Sequence, residues 1–159
     1  MEIYTTGVYG LTSEEFFDTL VANKIDTFID IRKRRAVRGS KFSFVNSKRL
    51  QNKLAELDIQ YLHILDLAPT NEIREIQYLD DDKSGIKKRD RKELGNSFIY
   101  EYKKQILEKF NFLNFIIQLE NMKANRVILF CVEREPKACH RSLVAERLAY
   151  ELSVKPINL

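Results

Sequence analysis

The segment 126–132 constrains the fold more than any other part of the sequence. It reads Arg-Val-Ile-Leu-Phe-Cys-Val, so it is apolar after its first residue and rich in types that favour strands. A second run, at 27–31, is β-branched and aromatic with little polar interruption. Short runs of this kind are typical of strands that are covered on both faces. The sequence therefore predicts a sheet with helices packed against both of its sides.

Strand and helix patterns alternate along the whole chain. Further strands are expected at 2–5, 60–65 and 155–159. Helices are expected at 13–23, from Asn46, from Pro69-Thr70, over 97–122 with a break near 109–111, and at 140–152. This alternation predicts a three-layer α/β fold, with a mostly parallel central sheet flanked by helices in a Rossmann-like arrangement. No repeat or linker interrupts it, so residues 1–159 are expected to form a single domain.

Composition excludes several classes of protein. The longest apolar stretches, at 112–119 and 127–132, are far shorter than the ~20 residues of a membrane-spanning helix. The two cysteines are too few for a secreted scaffold held by disulfides, and residues 1–4 do not resemble the start of a signal peptide. We therefore expect a cytoplasmic protein with no membrane partner.

Charge is unevenly distributed along the chain. Residues 31–49, the basic stretch, contain eight of the 27 basic residues and no acidic one, which leaves 19 basic and 23 acidic residues elsewhere. Such asymmetry favours an anionic partner, either a nucleic acid or a phosphorylated small molecule. The segment 80–92 is also highly charged but mixes both signs, and we interpret it as a solvated loop or a lid.

The basic stretch combines cations with aromatic residues. Arg34, Arg35 and Arg38 lie in a predicted loop, and Phe42 and Phe44 alternate beyond it. The two rings could stack on nucleic-acid bases. Alternatively, they could pack into the core while the charges keep the loop in solvent.

Polar clusters follow the predicted strands where these strands end. They are Thr5-Thr6-Gly7, Asp30-Ile31-Arg32, His63 and the segment 131–141. In open parallel sheets the ligand crevice lies at the carboxyl ends of the strands. We therefore expect these groups to converge at one edge of the sheet.

The segment 131–141, called the signature loop below, matches a longer pattern. It fits Cys-x-Glu-x-x-Pro-x-x-Cys-His-Arg at all six fixed positions, which chance rarely produces. Other matches are Thr6-Gly7, Asp30-Ile31-Arg32, Arg38 with Phe42, Tyr61-x-His63 and Leu67-Ala68-Pro69. On these motifs the sequence resembles the DUF488 family over nearly its whole length.

The resemblance implies the α/β fold and brings little settled biochemistry. Many relatives carry His where this chain has Val8, and Gly-Gly where it has Ala68-Pro69. A mechanism that needs the relatives' histidine at the position of Val8 therefore does not carry over to this chain.

The signature loop contains residue types that handle anions. Cys139 and His140 are expected at the start of a helix, where free N–H groups and the helix dipole favour an anion and lower the pKa of a thiol. Cys139 is therefore a candidate nucleophile, and Arg134 and Arg141 could each contact phosphate through two hydrogen bonds. Cysteine phosphatases and rhodaneses need Arg six residues after the cysteine, but Lys137 stands six residues after the first cysteine of this loop. The spacing argues against their chemistry.

We predict two sets of site residues at this edge. The acid–base and nucleophilic candidates are Asp30, His63, Glu133, Cys139 and His140. The anion-binding candidates are Arg32, Arg34, Arg35, Arg38, Arg134 and Arg141. An internal network of ion pairs that holds the strand ends together would equally explain Asp30, Arg32, Glu133 and Arg141 without any ligand.

No cofactor and no metal ion is predicted. Cys131, Cys139, His140 and His63 are of the types that bind zinc. However, seven residues separate the cysteines, unlike the short spacings of structural zinc sites, and neighbours on a helix point about 100° apart. Cys131, at the end of a buried strand, is expected to be a core residue.

Two functions fit these observations. The leading hypothesis is a pocket that recognises phosphate on a nucleotide or nucleic acid, where a hydrolase or transferase reaction could follow. The alternative is a non-catalytic nucleic-acid-binding module led by Arg34, Arg35 and Arg38, with the signature loop as structural support.

Overall fold

A parallel sheet forms the centre of the molecule. The computed structural model describes residues 1–87 and 90–159. The strands in these residues are β1 (Glu2–Thr6), β2 (Thr27–Asp30), β3 (Gln60–His63), β4 (Arg126–Phe130) and β5 (Ile157–Asn158). Their order is β3-β2-β4-β1-β5, and all neighbouring pairs run parallel. The predicted parallel sheet is thereby confirmed.

The strands that carry the polar clusters end at the same level. Asp30 of β2 pairs in register with His63 of β3 and with Phe130 of β4, and Thr6 of β1 also pairs with Phe130. The residues that follow these four strands therefore emerge together at one edge of the sheet. This edge is where the polar clusters were predicted to meet.

Helices connect the strands. They are α1 (Ser13–Ala22), α2 (Ser47–Glu56), α3 (Asn71–Lys83), α4 (Asn96–Tyr102), α5 (Phe112–Asn121) and α6 (His140–Glu151). The capping box that predicted α1 is present, because the side chain of Thr12 accepts from the Glu15 N–H and Glu15 accepts from the Thr12 N–H. A π-helical turn, Lys103–Leu107, extends α4. Within the described residues, no helix is long and apolar enough to cross a membrane.

Two apolar clusters cover the two faces of the sheet. Ile29 and Leu129 point into one cluster, with side chains from α3, α4, α5 and α6. Phe28 and Phe130, their neighbours along the same strands, point into the other, with side chains from α1 and α2. Alternate strand residues thus face opposite layers, as a pleated sheet requires. The predicted three-layer α/β fold is confirmed.

The prediction of a solvated loop at 80–92 holds for only part of the described segment: 82–87, 90 and 92 are exposed, but the start of the segment is helical and two of its charges are buried. Helix α3 continues to Lys83, and the two charged residues Asp81 and Arg91 are buried. They form an ion pair in which Arg91 Nη1 lies 2.7 Å from Asp81 Oδ2. Each charge compensates the other, so both can leave solvent. Positions 88 and 89 of this segment lie outside the described residues.

Of the two alternatives for Phe42 and Phe44, the structure does not support stacking on bases. Phe42 is buried, and the ring of Phe44 packs 5.8 Å from that of Phe16 in the α1 layer. The two rings belong to the apolar cluster on that face of the sheet. The alternative, in which they pack into the core, is what the structure shows.

Candidate functional site

A cavity of about 300 Å³ opens at the edge of the sheet where β2 and β4 end. Its described lining contains six Lys or Arg side chains and one carboxylate, that of Glu133. The cations are Arg32, Lys33, Arg34, Arg38, Arg74 and Arg91. The predicted convergence of the residues after β2 and β4 is therefore present. Cations outnumber carboxylates in the lining, although two of the six, Arg32 and Arg91, are paired with the buried carboxylates of Asp30 and Asp81.

Three buried side chains of the signature loop form one wall of the pocket. They are Cys131, Cys139 and His140, and their sulfur and nitrogen atoms all lie within 4.8 Å of one another. Cys139 Sγ lies 3.9 Å from His140 Nδ1, and His140 Nε2 lies 3.2 Å from the carbonyl oxygen of Ile31. The thiol of Cys131 donates to Glu133 Oε2 at 3.2 Å. The wall thus combines two thiols, an imidazole and a carboxylate.

The side chains of Cys139 and His140 face each other, which the sequence did not predict. We expected adjacent residues on a helix to diverge by about 100°. Cys139 is instead the residue before α6, with extended backbone angles of φ −138° and ψ 140°. Its side chain therefore does not follow the helical spacing, and the sulfur turns toward the His140 ring.

The proximity of these groups changes their proton affinities. Burial alone would raise the pKa of Cys139, but hydrogen bonding from Cys131 and the neighbouring His140 lower it overall. Burial lowers the pKa of His140, but Cys139, Glu133 and the hydrogen bond with Ile31 raise it overall. The pKa of Cys131 is raised well above its ordinary value by its hydrogen bond with Cys139, by burial and by Glu133. The geometry therefore favours a thiolate–imidazolium pair beside a neutral thiol.

Arg141 holds the signature loop in shape. It is fully buried, and its Nη1 and Nη2 donate to the backbone carbonyls of Glu133 and Arg134 at 2.5 and 2.9 Å. Gly7, the residue after β1, lets the loop approach closely, since a Cβ there would collide with the carbonyl oxygen of Glu133. The structure does not support the anion-binding role predicted for Arg141, because the two Nη atoms that would grip a phosphate donate to the loop's carbonyls.

Asp30 and Arg32 form a buried ion pair. Arg32 Nε and Nη2 donate to the two carboxylate oxygens of Asp30 at 2.8 and 2.7 Å, and Tyr61 also donates to Asp30. His63 Nε2 lies 2.9 Å from the carbonyl oxygen of Arg32, so it must donate there. Asp30 and His63 do not line the described pocket. The structure therefore does not support their predicted catalytic role. Asp30 compensates the charge of Arg32, and His63 donates to its backbone carbonyl.

The chain was compared with models of known protein families, with curated proteins and with solved structures. The model of the family described as "Domain of unknown function DUF488" matches residues 12–148. The chain belongs to the DUF488 family. No curated protein and no solved structure matches it.

Of the remaining arginines that were predicted to bind an anion, some line the pocket of this DUF488 protein and others do not. Arg34 and Arg38 are exposed and line the pocket. Arg35 interacts with the hydroxyl group of Tyr61, and Arg134 is exposed beside Gly10; neither belongs to the described lining. The basic stretch therefore contributes to the pocket through Arg34 and Arg38, next to Lys33 and Arg32 of the same segment.

Sequence reasoning missed the contribution of α3 and of Arg91 to the pocket of this DUF488 protein. Arg74, Gln77 and Tyr78 line it, and Gln77 donates to Asp81, the partner of Arg91. The four α3 residues are spaced i, i+3, i+4 and i+7, so they share one face of the helix. That polar periodicity was the available signal, whereas nothing in the sequence around Arg91 distinguishes it from its charged neighbours.

Proposed function

We propose that this DUF488 protein binds a phosphate-bearing ligand, a nucleotide or the end of a nucleic-acid strand, in the basic pocket. The observation that carries the proposal is the charge of the wall, where six cationic side chains surround one carboxylate. Arg34 and Arg38 are exposed, so they can reach an anion, and guanidinium groups bind phosphate oxygens through paired hydrogen bonds.

The buried end of the pocket offers a further donor. Arg32 lines the pocket and is 3% exposed, and its Nη1 has no hydrogen-bond partner among the described residues. A buried N–H without a partner carries a free-energy cost of about 1–3 kcal/mol. A ligand oxygen that reached this atom would remove that cost. The donor therefore favours a ligand that enters the pocket over one that only touches its rim.

Size and apolar lining favour a nucleotide over a bare phosphate ion. A volume of about 300 Å³ is at the lower end of the range for small-molecule pockets. Val37, Pro69, Leu94 and Phe98 give part of the lining an apolar surface, and Tyr9 and Tyr78 add aromatic rings. Such a surface suits a base or a ribose beside the phosphate.

A reaction on the bound ligand would depend on the signature loop. Of the five acid–base and nucleophilic candidates, Glu133, Cys139 and His140 line the pocket, whereas Asp30 and His63 lie behind it. Hydrolysis or group transfer would therefore use the first three residues. The presence of these groups next to a phosphate site is what supports an enzymatic function.

The test is a binding experiment with two double variants of equal charge. Fluorescently labelled nucleotides and short single-stranded oligonucleotides are titrated with wild type, with Arg34→Ala plus Arg38→Ala, and with Lys48→Ala plus Arg49→Ala. Both pairs come from the basic stretch and remove two charges, but Lys48 and Arg49 do not line the described pocket. We expect the pocket pair to weaken binding at least about tenfold and to lower the salt slope by about 1.4 for a single strand.

The result that contradicts the proposal is equal weakening by both pairs, or no binding of either probe at low salt. Unfolding by urea serves as the control for folding, since exposed substitutions of this kind usually change stability by no more than about 0.5 kcal/mol.

The second candidate function is a non-catalytic nucleic-acid-binding module. It is favoured by the exposure of Arg34, Arg38 and Lys41, which extends the positive surface beyond the pocket. A mononucleotide in excess distinguishes the two functions. If it displaces a labelled oligonucleotide, the pocket holds the nucleic acid, and if it does not, the surface of the basic stretch binds the strand.

A further inference from the structure

We propose that Cys131, Cys139 and His140 bind a zinc ion in the wall of the pocket. Their three ligand atoms lie within 4.8 Å of one another, and all three side chains are buried. A nucleophilic site would need one thiol. The structure brings two thiols and an imidazole to one point, which is the composition of a Cys₂His zinc site. The proposal deepens the proposed function, because with zinc bound Cys139 and His140 are ligands in the wall of the same pocket and not the nucleophile and acid–base group of a reaction there.

The distances suit a tetrahedral ion. Zinc–sulfur bonds of about 2.3 Å and zinc–nitrogen bonds of about 2.0 Å place neighbouring ligand atoms roughly 3.5 Å apart at a tetrahedral angle. Cys139 Sγ and His140 Nδ1 are 3.9 Å apart. Glu133 Oε2 lies 3.2 Å from Cys131 Sγ but does not belong to this cluster of three ligand atoms, so the fourth position of a tetrahedral ion is left to water or a ligand in the pocket. Three of the six fixed residues of the signature pattern thus surround one point.

The orientation of His140 is that of a metal ligand. Its Nε2 faces the carbonyl oxygen of Ile31 at 3.2 Å, and because a carbonyl only accepts, Nε2 must carry a proton. Nδ1, the atom that faces Cys139, is then the one whose lone pair can bind the ion. Histidine ligands commonly donate their second ring nitrogen to a backbone carbonyl, which fixes the ring and the tautomer.

The loop between the two cysteines is held rigid by bonds to its backbone. Arg141 donates to the carbonyls of Glu133 and Arg134, and Arg91 Nε donates to that of Ala138 at 3.3 Å. The N–H of Leu94 donates to the carbonyl of Lys137 at 2.9 Å. Seven intervening residues are long for a zinc loop, but these bonds position both ends of it. The argument against a metal from sequence spacing therefore does not hold in the folded chain.

Zinc binding has a defined proton balance. Cys131 holds one proton, and the Cys139–His140 pair shares another, besides the proton that stays on His140 Nε2. Coordination by two thiolates and the Nδ1 lone pair releases both of these protons to the buffer. Titration calorimetry in buffers of different ionisation enthalpy measures this number. We expect two protons per zinc ion.

The first test is a Co²⁺ titration of the reduced full-length chain, followed by displacement with Zn²⁺. We expect one ion per chain, with the absorption of thiolate-to-cobalt charge transfer. Substitutions of residues that only support metal ligands typically weaken metal binding roughly 10–100-fold. We expect a larger loss of Zn²⁺ affinity when a ligand itself is replaced, in Cys131→Ser, Cys139→Ser and His140→Gln. His63→Gln is the matched control because His63 is the other histidine of the chain, and it should bind Zn²⁺ as wild type does.

Two results would overturn the zinc site. One is the absence of a 1:1 complex in wild type, and the other is undiminished Zn²⁺ binding by folded Cys139→Ser. If a variant loses its helical circular dichroism signal and so does not fold, alkylation of the wild-type cysteines by iodoacetamide tests the site instead. Protection of both thiols by Zn²⁺ supports the site, and equal alkylation with and without Zn²⁺ contradicts it.

The same variants separate this proposal from the nucleotide pocket. Arg34→Ala plus Arg38→Ala should bind Zn²⁺ as wild type does, since neither residue is among the proposed ligands. Nucleotide binding by a wild-type protein that takes up no Zn²⁺ would overturn the zinc site and leave the phosphate pocket intact. Zn²⁺ binding without nucleotide binding would overturn the phosphate pocket alone.

Discussion

The signature loop and the basic stretch line the same pocket, the first mostly with buried side chains and the second mostly with exposed ones. Glu133, His140 and Arg141 of the signature loop are buried. Arg34 and Arg38 of the basic stretch are exposed. Buried charges need partners inside the protein, and exposed ones remain available to a ligand. The comparison separates the residues that build the pocket from those that can recognise what enters it.

Arg32 connects the two regions. It belongs to the basic stretch, yet it is buried against Asp30, and its guanidinium group lies 4.7 Å from the centre of the Phe130 ring. It also donates to the carbonyl of Val45, which fixes the loop that follows β2. Position along the sequence therefore does not decide the role of an arginine in this protein, whereas burial does.

The largest expected effect is that of breaking the Asp30–Arg32 pair. Asp30→Asn keeps the size of the side chain but leaves the buried Arg32 charge without compensation, which typically lowers the free energy of unfolding by about 3–5 kcal/mol. The matched control is Glu56→Gln, which breaks the exposed pair of Lys53 and Glu56 and should cost at most about 1 kcal/mol. Urea denaturation measures both. Equal losses would contradict the assignment of Asp30 to structure.

Arg141 offers the next largest effect. Arg141→Leu removes both donors from the carbonyls of Glu133 and Arg134, and we expect a loss of about 3 kcal/mol in the free energy of unfolding. Arg134→Leu, an exposed arginine of the same loop, should change it by no more than about 0.5 kcal/mol. If Arg141→Leu instead weakens ligand binding while stability is retained, the role in anion binding predicted from the sequence is restored.

The smallest expected effect is the pH dependence of stability that arises from Tyr61, which donates to Asp30. Burial and the charge of Asp30 raise the pKa of Tyr61 from its ordinary value of 10.0 to about 12. Since the folded pKa is the higher one, the neutral phenol stabilises the fold fully below pH 10, and this contribution is lost as the pH rises through 12. The free energy of unfolding should therefore fall more steeply over this range in wild type than in Tyr61→Phe. If the free energy of unfolding of both proteins fell equally with pH, this expectation would be wrong. The control is Tyr100→Phe, at an exposed tyrosine, which should follow wild type.

The fold was predictable because its signals are local. The run at 126–132 indicated the central strand β4, and Thr12 with Glu15 indicated the start of α1. Strands β2, β3 and β4 end one to two residues earlier than predicted, since Ile31, Ile64 and Cys131 continue the apolar pattern beyond the last paired residue, whereas β1 ends one residue later, at Thr6. Hydrophobic periodicity reports which residues are buried, and it does not report where hydrogen bonding between strands stops.

The candidate site was predictable in part. The rule that ligand sites lie where parallel strands end placed Glu133, Cys139 and His140 correctly at one pocket. It also placed Asp30 and His63 there, although their side chains point to Arg32 instead. Topology brings strand ends together, and the direction of each side chain depends on packing that a sequence pattern does not contain.

The sequence by itself determined the layers of this protein and the edge at which its polar residues meet, because the spacing of apolar residues and the order of elements are properties of the chain. Only the tertiary structure decided that Arg141 bonds the loop, that Arg91 reaches the pocket from a charged segment, and that Cys131, Cys139 and His140 converge. The physical reason is that Arg91 contacts a part of the chain far away in sequence, and that the other contacts depend on the conformation of the signature loop, including the extended backbone of Cys139. Neither is specified by residue type alone.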